Sequence, residues 1–136
     1  MPKPAPTHLR DPEKTINLAG SFFSIAKTVG DKPLFYSKQN GVWKGLGWSE
    51  VNTTVQKLAS VLISVGVTPG DRVIISAENR PEWAICDIAI MAIGAIVVPA
   101  YTTNTEDDHH FIMEHSGASV AITSGGTLAT RIISAA

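Results

Sequence analysis

The stretch that decides the fold is RPEWAICDIAIMAIGAIVVPAY, residues 80–101, the most apolar part of the chain. None of its side chains from Ile88 to Tyr101 carries a charge. A membrane-spanning helix needs about 20 consecutive apolar residues, and Asp87, Gly94 and Pro99 interrupt this run. A helix that is apolar on nearly every side, followed by a valine-rich strand, is typical of the centre of an α/β domain. We therefore predict a buried helix and a buried strand, and not a membrane anchor.

Strands and helices alternate around this stretch in the second half of the chain. The apolar runs RVIIS and AIVVP are predicted to form buried strands, and SVAIT is predicted to form a third strand. One predicted helix begins with Pro81 and runs to about Ile93, and the next is capped by Thr105 with Asp108 and ends at Gly117. This alternation indicates right-handed βαβ units in a parallel sheet flanked by helices, an α/β fold.

The first half is predicted to form a helix, a β-hairpin and a second helix. Apolar residues recur at helical spacing over residues 15–29, and Asn40 with Gly41 suits a type I′ turn because both residues tolerate positive φ. Ser49 is the predicted N-cap of the second helix. Its predicted apolar stripe comprises Val51, Val55, Leu58, Val61, Leu62 and Val65.

The division into domains follows from the length and from the first residues. A chain of 136 residues has room for one domain with a core of its own. Residues 1–14 contain four prolines and no apolar run of the kind found in secretory signals, so we predict a flexible leader. Residues 15–136 are predicted to form the folded domain.

The charge balance and the cysteine count limit which classes of binding partner and which cellular compartment are expected. Eleven basic residues oppose twelve acidic ones without a basic run, which disfavours a nucleic-acid surface. The single cysteine, Cys86, cannot form an internal disulfide, so a reducing cytoplasm is expected. On its apolar helix, Cys86 is interpreted as a small hydrophobic residue and not as a nucleophile. Trp43, Trp48 and Trp83 are interpreted as packing residues of the core or the hairpin.

Two segments suggest a ligand hypothesis. The first is residues 122–131, ITSGGTLATR, where a glycine-rich turn precedes a helix as in a phosphate-binding site. Because this segment lacks the lysine of a P-loop, an ordinary turn is favoured. EDDHHFIMEH, residues 106–115, suggests a metal site. His110 and Glu114 share a helical face, whereas His109 points about 100° away, so a solvated face is favoured. We therefore predict no metal-ligating residue.

Five segments follow one another in the order and spacing of a known enzyme family. They are GDKPLFYS at 30–37, LGWSEV at 46–51, GVTPGDRVIISAENRPEW at 66–83, IMAIGAIVVPAYTTNT at 90–105 and FIMEHSGASVAITS at 111–124. Together they resemble the start of the adenylate-forming, AMP-binding enzymes, above all the long-chain fatty-acyl-CoA synthetases. The second segment is similar to their Thr-Tyr-x-Glu-Leu motif, with Gly47 and Trp48 in the first two places. The fourth is similar to their Ala-Gly-Ala-x-x-Val-Pro motif, with Ile93 where Ala is frequent.

The resemblance implies a two-step ligase in the intact enzyme. A fatty acid, expected to be long-chain, would react with ATP and Mg²⁺ to give an acyl-adenylate and pyrophosphate. The acyl group would then pass to the thiol of coenzyme A. By the same resemblance, the chain would be a partial copy of the large N-terminal domain of these acyl-CoA synthetases.

The family's phosphate loop, Thr-Ser-Gly-Thr-Thr-Gly-x-Pro-Lys-Gly, has only a partial look-alike in TSGGT, residues 123–127. No Pro-Lys-Gly follows it, and it lies too soon after the Ala-Gly-Ala motif, so no phosphate contact is transferred to it. The family's ribose-binding acid and C-terminal catalytic lysine also have no counterpart. The chain is therefore expected to be a truncated, inactive N-terminal piece with no catalytic or cofactor-binding residue of its own.

Tyr101 and Thr102 are the candidates for lining a substrate cleft, because they come just after a parallel strand, where α/β sheets build ligand crevices. An ordinary surface turn is the alternative interpretation. The rival function is a free-standing α/β module that binds a nucleotide or a protein without chemistry. An exposed sheet edge predicts self-association of the chain. The expected location is the cytoplasm, either free or at the inner face of the membrane.

Overall fold

The computed structural model describes residues 17–136, so the predicted leader, residues 1–14, lies outside the described residues. Five helices and five strands follow in the described part. They are α1 (Leu18–Val29), β1 (Pro33–Gln39), β2 (Val42–Gly47), α2 (Trp48–Ser64), β3 (Arg72–Ser76), α3 (Pro81–Ala92), β4 (Ile96–Pro99), α4 (Glu106–Ser116), β5 (Val120–Thr123) and α5 (Gly126–Ala135).

The second half forms a three-stranded parallel sheet with the order β4-β3-β5. Val73 in the central strand β3 is level with Val97 in β4 and with Val120 in β5. The predicted α/β fold class with βαβ units is therefore confirmed. The prediction that β4 is a buried strand is wrong, because β4 lies at the edge of the sheet and Ile96 is 51% exposed.

The two faces of the sheet are covered by different helices. Val73 and Ile75 belong to a core that includes residues of α1, α2 and α3. The connections through α3 and α4 run in opposite directions across the sheet, so right-handed crossovers place these two helices on opposite faces. Because side chains alternate along a strand, Ile74 and Ser76 point to the second face, the side of α4.

The apolar stretch that opens the second half forms α3 and β4. Pro81 is the first residue of α3, as predicted, and Ile85, Ala89 and Ile90 are buried along it. The helix ends before Gly94, which has a φ of 77° and lies so close to Pro69 that a Cβ would be 3.2 Å from its ring. In the described part of the chain, no helix is both long enough and apolar enough to cross a bilayer.

The N-terminal half confirms the helix–hairpin–helix order with a correction at the start of α2. Asn40 and Gly41 have φ values of 50° and 81°, as a type I′ turn requires. Ser49 is not the N-cap, because α2 begins one residue earlier, at Trp48. The Trp48 amide donates to the carbonyl of Lys32 at 3.0 Å, and its indole stacks on Phe22 at 5.5 Å. Tertiary packing therefore sets this helix start without a side-chain cap among the described residues.

One further prediction about burial in this half, the extent of the apolar stripe of α2, is wrong. Val61 and Val65 are 54% and 61% exposed, whereas Leu62 is buried. Val61 precedes Leu62 by one residue and so lies about 100° around the helix from the buried stripe. Of the tryptophans interpreted as packing in the core or the hairpin, Trp43 lies on hairpin strand β2 and is 65% exposed, whereas Trp48 and Trp83 are half-buried against the core of the described residues.

Candidate functional site

A cleft lies at the carboxyl ends of β3 and β4. It is lined by the segment 77–79 after β3, by Trp83 of α3, by Pro99 at the end of β4 and by the segment 100–102 that follows. Its volume is about 580 Å³, within the range of roughly 300–1,000 Å³ that is typical of small-molecule sites. This is the edge at which parallel α/β sheets form ligand crevices.

The wall after β4 contains the two residues predicted from the sequence, Tyr101 and Thr102. The Ala100 amide donates to the carbonyl of Ile75 at 2.9 Å, which continues the β3–β4 pairing up to the cleft. The Asn104 amide then donates to the carbonyl of Tyr101 at 3.2 Å and closes a turn. Tyr101 is 80% exposed and Thr102 is half-buried. Both residues line the cleft.

The side chain of Arg131, on α5, binds the backbone of this turn. Its Nη1 donates to the carbonyls of Thr102 and Asn104 at 3.1 and 2.8 Å. The contact joins segments 27 and 29 residues apart in sequence. Sequence reasoning did not identify Arg131, because an arginine on an amphipathic helix gives no local signal of such a distant contact.

The wall after β3 carries the charge of the cleft. A hydrogen bond from Ser124 lowers the pKa of Glu78, so its carboxylate is ionised at neutral pH. Nearby, Arg80 donates to Glu82 through Nε at 2.8 Å and Nη2 at 3.1 Å, which lowers the pKa of Glu82. Sequence reasoning missed Glu78 and Asn79, although they follow β3 just as Tyr101 follows β4. Applying the carboxyl-end rule to both strands would have found them.

The glycine-rich turn before α5 has an internal structure of its own. The Gly125 amide donates to Oγ1 of Thr123 at 3.2 Å, and Gly125 and Gly126 have φ values of 90° and 60°. One of the amides that a bound phosphate would need is thus already paired. The geometry favours the interpretation as an ordinary turn.

The predicted cap of α4 is confirmed. Thr105 accepts a hydrogen bond from the Asp108 amide, and Asp108 accepts one from the Thr105 amide.

His109 and His110, although neighbours on α4, lie in different environments. Nδ1 of His110 lies 2.9 Å from the carbonyl of Ala135, and its Nε2 lies 3.8 Å from Glu114. Within residues 17–136, no group of three or more metal-ligating side chains comes together.

His109 is 1% exposed, and neither of its ring nitrogens has a hydrogen-bond partner among the described residues. Burial, followed by the charge of Arg131, lowers the pKa of His109, while Asp108 opposes the shift. His109 is therefore neutral at physiological pH and adds no charge to the buried side of α4.

Cys86 is half-buried on α3 and faces the space beside Trp83. Burial raises the pKa of its thiol, and Glu82 adds to the shift. The thiol therefore remains protonated at neutral pH, which agrees with its interpretation as a small hydrophobic residue.

A family model described as AMP-binding enzyme matches residues 22–136. The chain belongs to the AMP-binding enzyme family. The resemblance stated from the sequence motifs is thus confirmed.

Relatives and solved structures agree with this assignment. A long-chain-fatty-acid–CoA ligase of Mycobacterium tuberculosis is 34% identical over 116 residues, which cover 85% of this chain and 19% of that protein. A crotonobetaine/carnitine–CoA ligase of Salmonella paratyphi A is 28% identical over 109 residues, covering 79% of this chain and 21% of that protein. The chain spans about a fifth of the length of these curated relatives.

The fold itself is shared with a benzoate CoA ligase from Burkholderia xenovorans. The TM-score is 0.75 at 20% identity, with 89% of this chain and 24% of that chain covered. Both the sequence motifs and the βαβ architecture of this chain are therefore shared with members of the AMP-binding family.

Proposed function

We propose that the chain is the N-terminal part of an ATP-dependent acyl-CoA synthetase. The intact enzyme would activate a fatty acid, expected to be long-chain, as acyl-AMP and transfer the acyl group to coenzyme A. The observation that supports this proposal best is the 34% identity with a long-chain-fatty-acid–CoA ligase over 85% of the chain. Residues 15–136 would then be the beginning of its adenylation domain.

The cleft contributes one wall of the substrate site in this proposal. Tyr101 and Thr102 would contact the substrate, since both line the cleft and Tyr101 is largely exposed. ATP, Mg²⁺ and coenzyme A would be used by the intact enzyme. The phosphate loop that stabilises charge on the leaving pyrophosphate would come from elsewhere in it. The chain alone is therefore proposed to be inactive.

Two observations test the proposal. Translation of the DNA beyond codon 136 should continue into a Ser/Thr/Gly-rich loop that ends in Pro-Lys-Gly. The longer product should then catalyse ATP–pyrophosphate exchange that depends on a fatty acid, whereas the 136-residue chain should not. Exchange by the short chain would disprove its inactivity, and a longer product without exchange would disprove the ligase proposal.

The alternative is a free-standing α/β module that binds a nucleotide or a protein. The observation that favours it is the cleft, whose volume of about 580 Å³ is typical of small-molecule sites. It predicts that the isolated chain binds ATP with a measurable dissociation constant. Isothermal titration with ATP therefore separates the two proposals.

We also propose that the chain self-associates through a sheet edge, in a cytoplasmic setting or at the inner membrane face. In the described sheet, the outer edges of β4 and β5 have no neighbouring strand, and such edges readily pair with another chain. Pro99 removes one donor from the β4 edge, so β5 is the more complete edge. Light scattering at high concentration should show a dimer, and a monomer there would contradict the proposal.

A further inference from the structure

A groove lies between the hairpin and the start of α3. One wall is formed by residues 36–39 of β1 together with Trp43 of β2, and the other by residues 79–82. Its volume is about 520 Å³. The groove has only Asn79 in common with the cleft at the carboxyl ends of β3 and β4, so it is a separate space.

Two aromatic side chains lie next to each other on the hairpin wall of the groove. In the register of the hairpin, Trp43 is level with Lys38, two residues along β1 from Tyr36. Side chains alternate along a strand, so the two rings lie on one face. Tyr36 and Trp43 are 62% and 65% exposed. Exposed aromatic residues that line a groove are typical of surfaces that bind another segment of polypeptide.

The polar groups of the groove offer many hydrogen-bond donors. The indole of Trp43, the ammonium of Lys38 and the side-chain amide of Asn79 all carry N–H groups. Arg80 donates hydrogen bonds of 2.8 and 3.1 Å to Glu82, so the charges of this pair largely cancel. The groove therefore suits a segment that is rich in carbonyl acceptors and poor in N–H donors. Proline has this character, because its backbone nitrogen carries no hydrogen.

A proline-rich segment occurs near the beginning of this same chain. Residues 2–6 read PKPAP, with a proline at every second position. Sequences of this kind favour the extended polyproline II conformation, and grooves lined by aromatic residues are common receptors for them. The four residues of β1 that line the groove span about 13 Å of strand. A Pro-x-Pro unit, about 9 Å long, fits along them.

The segment is close enough in sequence to reach the groove of its own molecule. Asn17 lies beside Met91 and Gly94 at the end of α3, whereas the groove lies at the start of α3. The 12 residues of α3 span about 18 Å at about 1.5 Å for each residue. Pro6 precedes Asn17 by 17 − 6 = 11 residues, which extend to about 34 Å at about 3.1 Å for each residue. Residues 7–16 can therefore span the length of α3.

We propose that residues 2–6 bind as an extended proline-rich segment in the groove of the same molecule. Pro4 and Pro6 would pack against the two aromatic rings of the hairpin wall. The indole N–H of Trp43 would donate a hydrogen bond to a proline carbonyl. The leader would then cover the hairpin face that is exposed in the described part of the chain.

Competition between the tethered segment and a free peptide tests this proposal. The peptide has the sequence of residues 1–8 and a fluorescent label at its carboxyl end, and fluorescence anisotropy measures its binding. The receptors are the full wild-type chain and a triple variant with Pro2→Ala, Pro4→Ala and Pro6→Ala. A tethered segment competes at an effective concentration in the millimolar range, so the wild type should bind the peptide at least about threefold more weakly than the triple variant. Equal affinities would show that the leader does not occupy the groove, and no binding to the triple variant would overturn the docking site.

Substitutions on the hairpin test the location. Added to the triple variant, Trp43→Leu or Tyr36→Leu should each weaken peptide binding at least about fivefold, because each removes an aromatic wall of the groove. Phe111→Leu is the matched control, since Phe111 is 64% exposed on α4, and its affinity should equal that of the triple variant. Circular dichroism checks that each variant is folded. Undiminished binding by either folded hairpin variant would overturn the location, so one of the two is sufficient.

Two further measurements exclude other occupants and other modes of binding. The peptide MAKAAATH, with alanine at the three proline positions, should not bind, and equal binding of it would overturn the recognition of proline. Light scattering should give the wild type and the triple variant the same oligomeric state. A wild-type dimer that the three alanines convert to a monomer would show that the segment binds a second copy, and would overturn binding within one molecule.

Discussion

Replacing His109 by leucine should stabilise the chain, although it removes a fully buried side chain. A neutral imidazole carries one N–H donor and one acceptor nitrogen, and neither has a partner within the described part of the chain. A buried polar group left without a partner costs about 1–3 kcal/mol. Leucine removes that cost, and its different shape costs less than about 1.5 kcal/mol. We therefore expect His109→Leu to raise the free energy of unfolding by about 1 kcal/mol near neutral pH.

The same variant should change the response to acid. Because burial and Arg131 lower the pKa of His109 in the folded chain, the unfolded chain binds a proton at higher pH. The free energy of unfolding of the wild type therefore falls as the pH drops through the ordinary histidine range, and this loss stops only below the folded pKa. One such group contributes a slope of at most about 1.4 kcal/mol per pH unit. The advantage of His109→Leu should accordingly grow between about pH 7.5 and about pH 5.5.

Urea denaturation at these two pH values measures both effects. His115→Leu is the matched control on the same helix, since His115 is exposed, and its stability should stay close to that of the wild type. If His109→Leu lowers the stability by more than about 1 kcal/mol near neutral pH, the imidazole must have a partner. That result would refute the reasoning.

Three further substitutions test individual contacts of the fold. Thr105→Ala removes the cap of α4 and should lower the free energy of unfolding by about 1 kcal/mol in urea; no loss would mean that the capping box contributes nothing. Gly117→Ala places a Cβ 2.8 Å from the Arg72 guanidinium at a φ of 62°, so it should cost at least about 1 kcal/mol, and a neutral thermal melt would contradict this. Arg131→Met should speed hydrogen exchange of the Asn104 amide at least tenfold. Arg72→Met, which loses similar guanidinium–carbonyl bonds at the other end of the sheet, should leave that amide unchanged. Equal effects of the two arginine variants would show that Arg131 stabilises the fold without holding the turn.

Local signals predicted most element boundaries, because their physical causes lie within a few residues. Pro81 begins a helix because its φ is fixed at a helical value. The pair Asn40–Gly41 forms a type I′ turn because both residues tolerate positive φ, and Gly117 ends a helix because it adopts the left-handed region. Each effect acts within one turn of backbone. The same proximity explains why Tyr101 was identified as a cleft residue from its place directly after a strand.

Features that depend on distant parts of the chain escaped prediction. The edge position of β4 follows from β5 inserting on the other side of β3, which no pattern within AIVVP encodes. The exposure of Trp43 depends on what packs against the hairpin, since the preference of aromatic residues for strands does not determine which face they occupy. The hydrogen bonds from Arg131 to the turn after β4 join segments that are 27 and 29 residues apart in sequence, so no local pattern predicts them.

The strand order β4-β3-β5 also bears on the sequence of events during folding. Val73 pairs with Val97, 24 residues away, and with Val120, 47 residues away. Doubling the length of a loop adds about 0.6 kcal/mol to the entropy cost of closing it, so β3 should find β4 before β5. During synthesis β4 also leaves the ribosome first, and a nascent chain would expose one bare side of β3 until β5 arrives. Pulsed hydrogen exchange should therefore protect the β3–β4 ladder first, and that interval is when the chain is most open to pairing with the wrong strand.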